Sequence, residues 1–443
     1  MSTHIGNFFR SPSFKFMIIG VLSLFLLIPA SMIRELISER ETRNEQARNE
    51  ISESWSLAQT LTGPYLSIPT GVLEKGGRKD GILKDTYHLL PEQLRIDGTV
   101  DPIEKKRGIF MAVVYDSRIT LSGFFNLADA PVALASAPKS TENLIYLCIG
   151  LSDLRGIGNA SSILINETPV EMMPGVHTSD LNGTGIHIPL QAAAFTEVKN
   201  VAFNITLELK GSSELFITPI GKTTDVHLAS SWPDPSFTGN FLPAAKKIGP
   251  DGFEATWGVN YLNRNYPQGW YDDAHDINAS SFGVLFLVPV DHYQKSERSV
   301  KYAFMFIALS FLVFFLTELI LKIRIHPIQY LLVGFALIVF YTLLVSLSEQ
   351  IGFNLAYLSS TVAITLLVGF YMCSGTASGK VGLISASLLL ALYGFLFTTL
   401  QLQELSLLMG SIGLFIILAV VMVVSRKINW YKEEPAEGEN HKK

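Results

Sequence analysis

YAFMFIALSFLVFFLTELIL, residues 302–321, decides the fold: across this run only Glu318 is ionisable. A helix of that length crosses a hydrocarbon core of roughly 30 Å, and in lipid a single segment can satisfy its own backbone only as a helix. Residues 328–347, 355–373, 381–402 and 405–424 repeat the pattern, and residues 16–33 anticipate it near the start of the chain. The sequence therefore predicts a membrane α-helical bundle of six transmembrane helices.

Between the first and second spans, residues 34–301 have ordinary soluble composition, so two regions with different solvents are expected. The formal net charge of -5 is small for 443 residues, and the basic residues are scattered or sit at helix ends. That distribution excludes the electrostatic footprint of a nucleic-acid binder. Cys148 and Cys373 are expected on opposite sides of the bilayer, where they cannot pair, and each reads as a small buried hydrophobe.

Residues 16–33 exceed the apolar core of a cleaved signal, and no good cleavage site follows, so they read as a retained anchor. Lysine and arginine set the orientation. With the N-terminus in the cytoplasm, the inner connections hold Lys322, Arg324 and Lys380 and the tail holds Arg426, Lys427 and Lys432, whereas residues 348–354 and 403–404 hold neither type. The expected threading has both termini cytoplasmic and the large domain outside, in the periplasm of a bacterium. Arg34, Arg40, Arg43 and Arg48 oppose it, but long translocated domains obey the rule poorly.

The expected organisation is a cytoplasmic N-terminus (1–15), the first span (16–33), a juxtamembrane helix or stalk (34–62), a mainly-β domain (63–301), a five-helix bundle (302–424) and a cytoplasmic tail (425–443). Ala47, Ile51, Trp55 and Ala58 share one helical face, and Gly63 with Pro64 is expected to end that helix. Beyond it, short β-branched and aromatic runs bounded by Gly, Pro, Asn or Ser predict strands. Val201, Phe203, Ile205, Leu207 and Leu209 alternate as on one face of a strand. A large, mainly-β, sandwich-like extracytoplasmic domain is the expectation. Recurrent Pro-terminated strands leave an internal duplication open.

Three places in that domain invite chemistry. Trp232, Phe237 and Phe241 lie in a proline-rich loop and either line a groove for a glycan, peptide or lipid tail or serve structure, plugging the domain or docking it on the membrane, the structural role being commoner. Asp153 and Arg155 can bind a polar ligand or, more commonly, lock their own turn. Asp272, Asp273, His275 and Asp276 resemble a metal site by composition only, since no spacing matches a metal motif, and none is assigned. His88, His177, His187, His227 and His292 have neither ligand spacing nor a nucleophile motif, so no catalytic residue is named and no cofactor is expected.

In the bundle, Glu318 either pairs with Lys322 at the cytoplasmic interface, the commoner role, or serves a proton relay. Lys322 and Arg324 with the helix start at His326, Gln329 and Tyr330 can hold a lipid phosphate, although a capped helix end is the commoner role of such a pattern. Ser378, Gly382 and Ala386 would let the fifth helix approach a neighbour closely. Residues 374–380 lack the register and the Ser or Thr of a phosphate loop, which excludes nucleotide binding.

Several blocks carry a resemblance: Leu27-Ile28-Pro29 with Glu39-Arg40, the Asp153-Leu154-Arg155-Gly156-Ile157 turn, Trp232-Pro233 with Pro235-Ser236-Phe237 and Phe241-Leu242-Pro243, and His326-Pro327 with Gln329-Tyr330. Along essentially its whole length the chain resembles the CreD family of bacterial inner-membrane proteins, also called cell envelope integrity proteins. The resemblance implies an envelope role, association with a two-component regulatory pair, and altered tolerance to colicins and β-lactams; it supplies no catalytic residues. The expected function is a non-enzymatic stress-tolerance protein whose periplasmic domain binds an envelope component or another membrane protein. The alternative is a transporter of a lipid or amphiphile. An envelope hydrolase would need converging polar side chains that no motif predicts.

Overall fold

In the computed structural model the described residues are 12–73, 82–129, 144–195, 198–286, 292–321, 323, 325–375, 379–402 and 406–426. The chain forms two compact units, Asn44–Pro289 and the pair Met1–Arg43 with Val290–Lys443. Helices α1 (Pro12–Phe25) and α2 (Leu27–Trp55) come first. Seventeen strands follow among the described residues, β1 (Gln59–Leu73), β2 (Ile82–Leu89), β3 (Gln93–Arg107), β4 (Phe110–Asn126), β5 (Leu144–Leu151), β6 (Ser162–Ile165), β7 (Thr168–Val170), β8 (Met173–Pro174), β9 (Gly185–Gln191), β10 (Asn200–Ser212), β11 (Glu214–Thr218), β12 (Thr223–Ser230), β13 (Pro235–Gly239), β14 (Ala245–Gly249), β15 (Gly252–Asn260), β16 (Gly269–Tyr271) and β17 (Phe282–Phe286). The remaining helices are α3 (His292–Lys301), α4 (Ala303–Leu321), α5 (Pro327–Ile351), α6 (Phe353–Gly375), α7 (Gly379–Gln401) and α8 (Ser406–Ser425).

The strands build two sheets. The nine-stranded one runs β13-β17-β11-β1-β5-β9-β8, with β2 joining β1 to β16; the eight-stranded one runs β14-β15-β12-β3-β4-β10-β6-β7. Strand β1 is the hub of the first, because it pairs with β11 in parallel and with β2 and β5 antiparallel. One apolar cluster draws on both sheets: Leu61, Ile68 and Ile149 from the first meet Ile96, Leu121, Ile205 and Leu228 from the second. The alternation in β10 is as the sequence predicts, with Val201, Phe203, Ile205, Leu207 and Leu209 buried and Ala202 and Asn204 exposed. Each such side chain contributes roughly 1.5–3 kcal/mol when fully buried.

Gly63 and Pro64 do not end the juxtamembrane helix. The helix stops at Trp55, and these two residues lie inside β1. A backbone can leave a helix and enter a strand within three residues only if its loose amides and carbonyls find partners. Here Asp153, Arg155 and Gln59 provide them, as described below. The expected loop at Trp232 also contains a strand, β13, whose Pro235 occupies its first position on the sheet edge, where a missing N–H is tolerated.

Among the described residues five helical segments are long and apolar enough to cross a membrane, Phe14–Trp55, Ala303–Leu321, Pro327–Ile351, Phe353–Ser374 and Gly379–Gln401; α8 adds a shorter apolar run, Leu408–Val423. Packing among them uses small residues. A methyl group at Gly334 would come within 2.3 Å of Leu26 and 2.8 Å of Phe311, and one at Gly382 within 2.6 Å of the Gly369 carbonyl. The expected close approach of the fifth span is thus made by Gly382 against Gly369 and Cys373 on α6, while Ser378 lies outside the described residues.

The expected partner of Glu318, Lys322, lies outside the described residues, and Glu318 has other partners within them. Its carboxylate, nearly fully buried, pairs with Lys15 on α1, accepts from the Tyr330 hydroxyl at 2.9 Å, and accepts from the Ile325 amide at 3.1 Å. Lys322 and Arg324 lie outside the described residues. A single intramembrane charge thereby ties α1, α4 and α5 together, because a buried carboxylate is tolerated only when its lone pairs are filled. Glu318→Ala should lower unfolding stability in detergent by on the order of 3 kcal/mol, with Glu318→Gln losing less because it keeps an acceptor. An unchanged midpoint for the alanine variant would show that the pair stabilises nothing.

Candidate binding cleft and the turn that supports it

The Asp153 turn sits where α2 hands over to β1. Asp153 is 8% exposed, and its carboxylate accepts from the Leu57 amide at 2.9 Å, the Ser56 hydroxyl at 3.3 Å and the Arg155 amide at 3.0 Å. Arg155 donates to the same carboxylate through Nε and Nη2, and its Nη1 reaches the Glu53 carbonyl at 2.8 Å in the last turn of α2. Gln59 completes the closure, its Nε2 donating to the Asp153 carbonyl at 2.7 Å and to the Lys210 carbonyl at 3.2 Å. A side chain at Gly156 would strike the Lys210 carbonyl at 2.3 Å, so the turn needs glycine there. Foremost among the causes, the bonds from Arg155 hold the Asp153 carboxyl well below the usual carboxylate range. Both groups are spent on one another and on the backbone, which fits the structural reading of this pair.

Immediately beside that turn opens a cleft of about 720 Å³, a size typical of small-ligand sites. Thr60 of β1, Leu151 and Ser152 of the β5 end, Glu214 and Phe216 of β11, and the segment from Ser179 to Thr184 line it, with Asn278 and Ser281. Strand register brings these together: Thr60 stands beside Phe216, and Leu61 beside Leu151. Ser152 accepts from the Thr60 amide at 2.9 Å, and Thr184 donates to the Leu151 carbonyl at 2.5 Å. Gly150 makes room for Asn182, whose side chain lies 2.3 Å from where a Cβ would be and whose buried Oδ1 has no hydrogen-bond partner. Half-buried Glu214 has its carboxyl pushed up by desolvation.

The only ionisable side chains among the described lining residues are Asp180 and Glu214. An anion would meet repulsion and find no cation, so the lining suits a cation or an uncharged molecule rich in hydroxyl and amide groups.

Asp180 reaches deeper. Its Oδ2 is 3.0 Å from His88 Nε2, and His88 Nδ1 is 3.1 Å from the Ser67 hydroxyl. Ser67 and His88 are direct cross-strand neighbours on β1 and β2. The residue types are those of a nucleophile relay, but Ser67 and His88 are both fully buried. Burial pulls the His88 pKa below its ordinary value, against the opposing effect of the Asp180 hydrogen bond. No sequence motif marks this relay, since Ser67, His88 and Asp180 are distant in sequence.

The other expected residues have structural places. Trp232 belongs to the core, Phe237 stacks edge-on against Phe253 and Trp257, and Phe241 edge-on against Phe282, and none of the three lines the cleft. His326 Nδ1 accepts from the Ile328 amide at 3.3 Å while Gln329 Oε1 accepts from the His326 amide at 2.9 Å, a reciprocal cap that opens α5. Asp272 accepts from the Thr86 amide at 2.9 Å.

The family model described as "Inner membrane protein CreD" matches residues 11–431 of the chain. The curated protein "Inner membrane protein CreD" of Escherichia coli (strain K12) is 34% identical over 416 residues, covering 92% of this chain and 91% of that one.

The depressed Asp153 pKa means that its contribution to stability is complete above the ordinary 3.8 and is lost as pH falls further. His88, with its pKa also depressed but charged when protonated, removes stability from about its ordinary 6.5 downward. Asp153→Asn should lose about 1–3 kcal/mol at neutral pH, Arg155 contributing little of it because its guanidinium is exposed. It should also flatten the stability profile below pH 3.8 while leaving the limb near pH 6.5 in place. Denaturant titrations across pH read both effects, and an unaltered acid limb would exclude the assigned role of Asp153.

Proposed function

The chain belongs to the CreD family of inner membrane proteins, and from that premise we propose that it supports envelope integrity by binding, without catalysis, an envelope component in the cleft beside the Asp153 turn. The carrying observation is the lining itself: two carboxylates, an unpartnered Asn182 carbonyl and several hydroxyls, with no basic side chain among the described lining residues. Such a surface recognises a hydroxyl- and amide-bearing ligand, neutral or positively charged, which is the chemistry of envelope glycans and their amino-sugar derivatives. A non-enzymatic reading is supported by the burial of Ser67 and His88.

In this proposal the two sheets face one another as a sandwich outside the cytoplasm, six crossings anchor the protein, and both termini are cytoplasmic. Support comes from the lysine and arginine asymmetry of the short connections and from α8, whose apolar run makes the crossing number even. Protease added to spheroplasts should cut within residues 44–289 while leaving an epitope at the C-terminus intact. Protection of the β unit until the membrane is opened would refute the threading.

The cleft has its own test. Glu214→Gln combined with Asn182→Ala should reduce tolerance of envelope stress to that of cells lacking the protein, at equal membrane abundance. Full tolerance in that variant would remove the cleft from the function.

A further inference from the structure

Helices α4 to α7 enclose polar groups that no charge or backbone group satisfies. Ser310 on α4, Tyr341 on α5, Thr361 and Thr365 on α6, and Ser385 and Tyr393 on α7 are each buried, and none of their hydroxyls has a hydrogen-bond partner. A serine or threonine in a lipid-embedded helix ordinarily bonds the carbonyl one turn back, as Thr317 does with Val313 and Thr399 with Phe395. Ser310, Thr361, Thr365 and Ser385 do not, so their hydroxyls, like those of Tyr341 and Tyr393, face the interior unspent.

Ring contacts near the tyrosines, extended by helix register, place them along one line. Tyr393 packs against Phe306 of α4, Phe340 of α5 and Tyr357 of α6, and the Tyr357 hydroxyl donates to the Tyr393 carbonyl at 2.7 Å. Phe340 in turn contacts the Tyr341 ring. Helices α6 and α7 run antiparallel, with Tyr357 beside Tyr393 at one level and Gly369 beside Gly382 and Ala386 at another. That register sets Thr365 opposite Ser385, with Thr361 one turn nearer the tyrosines. Ser310 stands one turn beyond Phe306 in the same direction. The hydroxyls therefore descend from the tyrosine level for about 12 Å, eight residues of helix rise, into the middle of the span. Past Ser385 the buried side chains turn apolar, with Val368, Met372 and Val381.

The opposite end of the line leads to α3. This short helix touches α4, α5, α6 and α7. It is fastened where α5 and α7 finish, through Tyr293 to Glu349 at 2.9 Å and Lys295 to Gln401 at 3.5 Å. Its buried face carries Ser296 and Ser299, whose hydroxyls are also without partners.

We infer that α4 to α7 enclose a polar pocket, entered beneath α3 and closed at mid-membrane, that takes up small uncharged hydroxylated molecules. The hydroxyls both donate and accept, so they match water or a polyol equally. Among the described residues of α4 to α7 the charged side chains, Glu318, Glu349 and Lys380, all lie close to helix ends, so a charged solute would enter dry and uncompensated. The pocket lies wholly in the helical unit and is independent of the cleft in the β unit.

Cysteine scanning tests this directly in the full chain, reconstituted in nanodiscs, with Cys148→Ala and Cys373→Ala as background. Ser310→Cys, Thr361→Cys and Ser385→Cys preserve size, and each reports independently should one fail to fold. Leu366→Cys and Leu383→Cys face outward beside Thr365 and Ser385, at 67% and 70% exposure, and give the lipid-facing rate at the same depth. The probe is hydroxyethyl methanethiosulfonate, uncharged and water-soluble. Because a thiol reacts as its thiolate, which hydrocarbon suppresses, the interior cysteines should label at least about tenfold faster than the outward pair. Interior rates no higher than those at 366 and 383, in protein of unchanged helicity, would overturn the inference.

Discussion

The Asp153 carboxylate, buried and filled by the Leu57 and Arg155 amides, the Ser56 hydroxyl and the Arg155 guanidinium, is the constraint on which the β unit depends. It allows a long helix to end and a strand to begin within three residues, because the Leu57 amide and the Glu53 carbonyl freed there are claimed by Asp153 and Arg155. The strand so launched is β1, which pairs with β2, β5 and β11 and so fixes the register of the first sheet. The cleft is a consequence of that register: Thr60, Ser152, Glu214 and Phe216 become neighbours only if β1 starts where Asp153 makes it start.

The helical unit answers a different solvent with the same logic. Lipid offers no partner to a charge, and Glu318 is retained because Lys15, Tyr330 and the Ile325 amide surround it. Satisfied and unsatisfied polar groups thus divide the labour. Glu318 fastens helices together, whereas the hydroxyls of Ser310, Thr361 and Ser385 are left available for something that is not protein.

Much of the architecture was legible in the residues. Twenty-residue apolar runs and the alternation of Val201 to Leu209 report directly on burial, since a span or a strand face must repeat its chemistry at fixed intervals. The Asp153 and Arg155 turn was legible too, as glycines beside a close ion pair. Contacts between distant residues were not. Asp180 meets His88 across 92 positions and Lys15 meets Glu318 across 303, and neither approach leaves a local periodicity to read. The aromatics of the Trp232 loop drew attention as a groove lining for the same reason: composition reveals that they are large and apolar, but not that Phe253, Trp257 and Phe282 are waiting for them.

Amide hydrogen exchange comparing the native chain with Asp153→Asn tests most directly whether this turn sets the register of the β unit. Exchange should accelerate at Leu57 to Thr62 and at the paired residues of β11, while β12 and β15, which β1 does not pair with, keep their native protection. Equal rates in both proteins at residues 57–62, or acceleration spread evenly over both sheets, would contradict the account.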